Sequence, residues 1–173
     1  MKKIVWLNKS NGQLCVTIPK NSGIKDGDIV DIKKENIRKI VYSFVTADLF
    51  HYGHLQLLLK ANSLGDFHIC GVLTNKAIIG YKNAPVANFN ERKSIVEALQ
   101  CVDMVMSQED IDPTNNLKKI HEQFPNALLT LVHGSDWKTI PGSDFIKKIN
   151  GTVVTPAFYE RLSTEKIIKR ITK

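Results

Sequence analysis

The spacing of apolar and polar positions divides the chain into two parts. Up to about residue 38 the apolar residues come in short runs broken by turn residues: KKIVWLN, then Asn11-Gly12, then QLCVTIP ending at Pro19, then a loop, then DIVDIK after a second turn at Asp26-Gly27. An Asn-Gly pair between β-rich runs signals a hairpin, because the tight turn needs residues that accept positive φ. This part predicts three short strands and no helix.

Beyond it the pattern alternates strand with helix. IRKIVYSFVT, FHICGVLT, CVDMVMS, ALLTLVH and GTVVTPA read as five buried strands. Between them, residues 53–65 predict a helix with Leu55, Leu58, Leu59 and Ala61 inward. Residues 91–100 predict a second, capped by Asn90, with Ile95, Val96 and Leu99 as its buried stripe. Residues 115–124 predict a third, stopping before Pro125. Residues 142–149 predict a short fourth, and residues 165–171 a last one capped by Ser163 or Thr164. Strands and helices alternating at this spacing imply an α/β fold, a doubly wound, Rossmann-like parallel sheet covered on both faces. The expected organisation is a small all-β unit over residues 1–38 and the α/β domain over 39–173. Ligands in such sheets bind beyond the carboxyl ends of the strands.

Composition narrows the setting. The 173 residues suit one domain with a small appendage. A formal net charge of +7 reflects a solvated surface, an anionic ligand or nucleic acid. Cys15, Cys70 and Cys101 are far apart and form no CxxC pair, so neither a zinc ribbon nor a disulfide framework is expected. That usage suits a reducing cytoplasm. The N-terminus starts basic, but its apolar run is too short for a signal peptide, and no run is long enough to span a bilayer.

Candidate chemistry lies just after the strands. Thr46-Ala47-Asp48-Leu49-Phe50-His51-Tyr52-Gly53-His54 follows the first strand of the α/β part. His51 and His54 are three apart, so both rings share one face where a helix begins. A helix N-terminus presents unpaired N–H groups and positive dipole character, and two imidazoles over it make a site for phosphate oxygens. Gly53 lets a triphosphate approach the backbone. The same pair with Asp48 has zinc-ligand character, but no further Cys/His cluster supports a metal site.

TADLFHYGH resembles the HxGH signature of the cytidylyltransferase group of nucleotidyltransferases, which commonly reads T-F-D-x-x-H-x-G-H. That group acts on glycerol 3-phosphate, ethanolamine phosphate, choline phosphate and some phosphonates. The resemblance runs over residues 38–172. The histidine signature also occurs in adenylyltransferases that make NAD, FAD or coenzyme A. Thr74 to Pro85 is similar to the group's lysine-bearing loop, with Lys82 as the matching lysine. Asn90-Glu91-Arg92 resembles the start of a helix whose arginine contacts phosphates. His133-Gly134-Ser135-Asp136-Trp137 resembles a G-D-D-W segment beside the base and sugar, with Ser135 for the first Asp. Arg161-Leu162-Ser163-Thr164-Glu165-Lys166 resembles G-I-S-T/S-T-K, with Arg161 for the glycine and Glu165 for a threonine. Phe158 stands where some members carry an arginine, a role Arg161 is placed to take.

The resemblance implies a cytidylyltransferase. His51, His54, Lys82 and Arg92 would be catalytic. Thr46, Ala47, Asp48, Gly53, His133, Gly134, Asp136, Ser163 and Thr164 would bind nucleotide, and Trp137, Tyr159 and Arg161 the acceptor. Mg²⁺ is expected with CTP, with Asp48 the nearest protein ligand. The runs LTNKAIIGYKNAP and SQEDIDPTNNLKKI are most similar to phosphonate cytidylyltransferases. They imply a small acceptor such as an aminoethyl or hydroxyethyl phosphonate, with phosphoethanolamine, phosphocholine and glycerol 3-phosphate open.

GQLCVTIPKNSGIKDGDIVDI resembles the swapped hairpin of AbrB-type regulators, which implies a homodimer. Lys2, Lys3, Lys9, Lys20, Lys25, Lys33 and Lys34 supply charge suited to DNA, but acidic residues are interspersed, and DNA is not the favoured partner. Two rival readings are a nucleotide-sensing DNA-binding regulator and an adenylyltransferase of the FAD-synthase type.

Overall fold

A computed structural model describes residues 5–18, 22–30, 37–79, 81 and 83–172. The chain divides into two compact units, Met1–Asn36 and Ile37–Lys173. In the first, β1 (Val5–Leu7) pairs antiparallel with β2 (Leu14–Val16). The connection closes through Asn8 N–H to Gln13 O (2.8 Å) and Gly12 N–H to Asn8 O (2.8 Å), with Gly12 at φ +73°. The glycine turn sits where Asn11-Gly12 puts it, in a connection longer than a two-residue hairpin loop. The expected third strand is not formed over Asp28–Val30. Its remainder, and Pro19, lie outside the described residues.

The second unit runs β3 (Lys39–Val45), α1 (Tyr52–Asn62), β4 (Phe67–Leu73), α2 (Asn75–Ile79), α3 (Phe89–Glu97), β5 (Met104–Gln108), α4 (Thr114–Gln123), β6 (Leu128–Val132), α5 (Ser143–Lys148), β7 (Thr152–Val154) and α6 (Thr164–Ile171). The sheet order is β5-β4-β3-β6-β7, every neighbouring pair parallel. This is the doubly wound architecture that the alternation implies. All seven residues of β4 are buried, as a strand covered on both faces requires. The winding reverses between β3 and β6, so a crevice opens at their carboxyl ends.

Local details depart from the expected pattern. Leu59 is 49% exposed, while Leu57 packs against two parts of the core. The cap of α3 is Asn88, not Asn90: Asn88 accepts the Glu91 N–H and Glu91 accepts the Asn88 N–H, a reciprocal capping box. Asn90 then falls inside the first turn. Val96 is buried as expected, but Ile95 faces out. Helix α2 has five residues, too few for a helical period to show in sequence. Cys70 is a buried core residue, and all three cysteines are free.

Two buried polar groups brace the sheet. Tyr42 Oη donates to Gln108 Oε1 (2.8 Å) and accepts from Asn116 Nδ2 (3.0 Å). Gly71 leaves the room for this, since a Cβ there would lie 2.1 Å from Tyr42 Oη. His68 meets Ser43 Oγ at 2.8 Å through Nε2 and the Cys101 carbonyl at 2.6 Å through Nδ1. A carbonyl only accepts, so Nδ1 carries the hydrogen and Nε2 accepts from Ser43.

Candidate active site

The loop from β3 into α1 is built under strain. Ala47 (φ 59°) and Leu49 (φ 44°) both take left-handed backbone conformations without being glycine. Such residues cost about 1–3 kcal/mol each and persist only where the surroundings over-determine them. Asp48, between them, shows how. Its Oδ2 accepts the Val86 N–H (3.1 Å) and its Oδ1 the Ala87 N–H (3.0 Å). Its backbone carbonyl accepts from Thr164 Oγ1 (2.9 Å).

The loop delivers His51 to the N-cap of α1. His51 Nδ1 accepts the Gly53 N–H (3.1 Å), and His54 Nδ1 accepts the His51 N–H (3.3 Å). The two imidazoles thus form a capping box, a job usually done by Ser or Asp with Glu. An Nδ1 that accepts an N–H carries no hydrogen, so each neutral ring bears its proton on Nε2. The rings lie 4.0 Å apart between centroids, and His54 stacks on Phe50 at 5.4 Å. Burial pushes the His51 pKa down, with Glu165 opposing. The positive end of the α1 dipole also disfavours an imidazolium. Both effects keep His51 a neutral donor. Gly53 has a reason beyond ligand access: a Cβ there would come within 2.9 Å of His51 Cε1.

An open cleft of about 1160 Å³ lies over these rings. Thr46, Asp48, His51, Gly53, His54, His133, Gly134, Asp136, Trp137, Tyr159, Ser163 and Thr164 all line it, so most of the expected site residues come together. On the β6 side, the His133 ring stands 4.5 Å from Phe44 and edge-on to Trp137 at 5.1 Å. Tyr81 meets Trp137 edge-on at 6.3 Å. Ser135 Oγ accepts the Phe158 N–H (3.1 Å), stitching the loops after β6 and β7 together. Tyr159 packs edge-on against Tyr52 at 5.2 Å. Tyr52, Tyr81 and Phe44 escaped the sequence reading; only Tyr81, beside Lys82, carried a signal.

Other residues are placed differently. Arg161 is exposed and does not line the cleft. Ala47 is buried and also off the lining; its contribution is its backbone. Arg92, expected on phosphate, is fully buried with its guanidinium turned to protein oxygens. Thr164 spends its hydroxyl hydrogen on Asp48, whereas Ser163 accepts the Lys166 N–H as N-cap of α6 and keeps its own hydrogen to donate. Lys82 lies outside the described residues.

Among the described residues no three His, Cys, Asp or Glu side chains converge on a metal position. Both Asp48 oxygens accept one backbone N–H each, so each keeps a lone pair that a cation could take. Among the described residues no helix is long and apolar enough to cross a membrane.

A family model described as cytidylyltransferase-like matches residues 45–170. A glycerol-3-phosphate cytidylyltransferase of Bacillus spizizenii is 31% identical over 131 residues, covering 76% of this chain and 95% of that one. The bifunctional protein HldE of Syntrophotalea carbinolica is 30% identical over 148 residues, 83% of this chain. The match spans 29% of that relative's length. Among solved structures, the lipopolysaccharide core biosynthesis protein from Thermoplasma volcanium aligns with a TM-score of 0.56 at 20% identity. That alignment covers 72% of this chain and all of that one, a likeness of fold.

Proposed function

Since this chain belongs to the cytidylyltransferase-like family of nucleotidyltransferases, we propose that it transfers CMP from CTP to a small phosphonate or phosphate monoester and releases pyrophosphate. The observation that carries this reading is the His51–His54 capping box, which spends Nδ1 of each ring on the backbone, leaves the ring proton on Nε2, and sets both imidazoles on the lining of one cleft at a helix N-terminus.

An ionised oxygen of the acceptor attacks the α-phosphorus. The bond from that phosphorus to the oxygen bridging to the β-phosphate breaks, and pyrophosphate leaves with the electron pair. The attacking oxygen is already an anion, so no general base is required. The protein's work is alignment and charge stabilisation. His51 and His54 donate to oxygens of the triphosphate as charge shifts toward the leaving group. Ser163 and the α6 N-terminus offer further donors to the outer phosphates. Trp137 and His133 form the wall for nucleoside or acceptor, and Tyr159 stands on the acceptor side. Mg²⁺ would accompany the nucleotide, held by phosphate oxygens and water rather than by a protein cage.

The sequence resemblance favours a small phosphonate acceptor, with phosphoethanolamine, phosphocholine and glycerol 3-phosphate open. The N-terminal unit, by its own resemblance, is read as a dimerisation module of a cytoplasmic enzyme. The test is pyrophosphate release with Mg²⁺, comparing CTP with ATP. The acceptor panel is 2-aminoethylphosphonate, hydroxyethylphosphonate, phosphoethanolamine, phosphocholine, glycerol 3-phosphate and FMN, with a His54→Ala control. CTP-dependent turnover on one acceptor, lost in the control, is expected. ATP preference, or silence across the panel despite nucleotide binding, sinks the reading.

A further inference from the structure

We infer that Arg92 is a positioning residue for this reaction: it holds the strained Thr46–His54 loop from beneath, through carbonyl oxygens, without touching the nucleotide. The inference rests on the proposed transfer for its kinetic consequence, but not for its structural one.

Arg92 sits in the first turns of α3 with no exposed surface. Its Nε donates to Ala87 O at 3.1 Å. Its Nη1 donates to Leu73 O at 2.8 Å and to Thr46 O, and its Nη2 to Asn75 Oδ1 at 2.7 Å. Four of its five N–H groups are therefore committed to four points: the residue after β3, the last residue of β4, the first residue of α2, and the loop entering α3. A buried guanidinium is costly unless its donors are satisfied, and here neutral carbonyl and amide oxygens satisfy them. Asp48 supplies the opposing charge.

The Thr46 carbonyl belongs to the peptide that leads into left-handed Ala47. On the far side of Ala47, Asp48 is pinned by Val86, Ala87 and Thr164. Arg92 grips Ala87 from its carbonyl side while Asp48 grips the same residue from its N–H side. The two opposite charges thus clasp one loop between them, and Ala47 is held from both ends. Two residues beyond Leu49, the second left-handed position, stands His51, whose Nδ1 must meet the Gly53 N–H. A lysine cannot take this place, because a point ammonium lacks the planar fork that reaches four separated acceptors.

The test uses the full-length protein with Arg92→Lys and Arg92→Ala. Circular dichroism and melting check folding. Steady-state kinetics separate kcat from the KM for CTP, and ¹⁵N spectra of the free protein report the His51 and His54 tautomers. Expected for Arg92→Lys is a folded protein whose kcat falls about 100-fold, as misplacement by about an ångström would cause, with KM for CTP within about threefold. The Nε2–H pattern of the two histidines should be lost. Millimolar guanidinium should restore part of kcat in Arg92→Ala. A KM for CTP raised about tenfold or more with kcat and histidine spectra unchanged would mean direct phosphate contact and overturn the inference. A lower melting point with wild-type kcat and spectra would reduce Arg92 to a packing role and also overturn it. If the wild type transfers nothing, the functional reading fails, but the tautomer spectra still decide this one.

Discussion

His51 and His54 each spend Nδ1 on a backbone N–H of the turn that carries them, and their rings face each other 4.0 Å apart. One pair of side chains thereby caps α1 and fixes the tautomer needed for donation. Stability and chemistry are superimposed there, and substitutions can separate them.

His51→Asn should do so. Asparagine is a strong N-cap, so the melting temperature should stay close to wild type. The imidazole donor is gone, so kcat should fall about 10²- to 10³-fold. His51→Ala should lose the same activity and also about 1 kcal/mol of stability. Thermal melts beside pyrophosphate-release kinetics check both. Equal activity in His51→Asn and wild type would remove His51 from the chemistry.

Gly53→Ala should damage catalysis more than folding. The added Cβ lies 2.9 Å from His51 Cε1 and 3.1 Å from Nδ1, so the ring must swing away. Alanine is otherwise the better helix former. The expected result is a near-normal melt with kcat reduced about 100-fold. A crystal structure of the variant with the ring unmoved would contradict it.

Lowering the pH should destabilise the fold before it protonates the site. Burial holds the pKa of His68 below its usual value, against the Cys101 carbonyl and Asp103. His51 is lowered for the same first reason. The unfolded chain then binds protons at its ordinary histidine pKa of about 6.5 while the folded chain resists them. Stability is therefore full above that pH and declines as pH falls through it toward the folded values. His68→Asn should flatten this slope in melts between about pH 7 and pH 5. Unchanged pH dependence in that variant would assign the slope elsewhere. His51 should keep donating somewhat below the ordinary histidine pKa, because burial holds its own pKa down.

Gly71→Ala should cost about 1–3 kcal/mol by overpacking. Its Cβ would fall 2.1 Å from Tyr42 Oη and 2.6 Å from Gln108 Oε1, both in the buried core. Tyr42→Phe removes the hydroxyl that fills this space, at its own cost of about 1–3 kcal/mol for a buried partner left unmet. The double variant should be more stable than the sum of the two, a coupling that denaturant titration reads directly. Strict additivity would show that the two sites do not share the space.

How much of this was written in local sequence depends on the range of the interaction. Among the described residues, the five strands of the parallel sheet, five of the six helices and the parallel arrangement follow from apolar patterning, because burial on both faces leaves a continuous apolar run. The hairpin glycine, the Ser163 cap and the paired histidines at a helix start are likewise contacts among near neighbours. Tertiary structure decided the rest. Nothing near Arg92 announces that it meets Thr46, 46 residues away, rather than a phosphate. Nothing near Asp48 announces that its oxygens take Val86 and Ala87 N–H groups, 38 and 39 residues on. The choice of Asn88 over Asn90 as cap belongs with the local contacts, since Asn88 and Glu91, three residues apart, make a capping box. A buried charge or a tight glycine is set by what packs against it, and its packing partners come from strands and loops distant in sequence, where no periodicity records them.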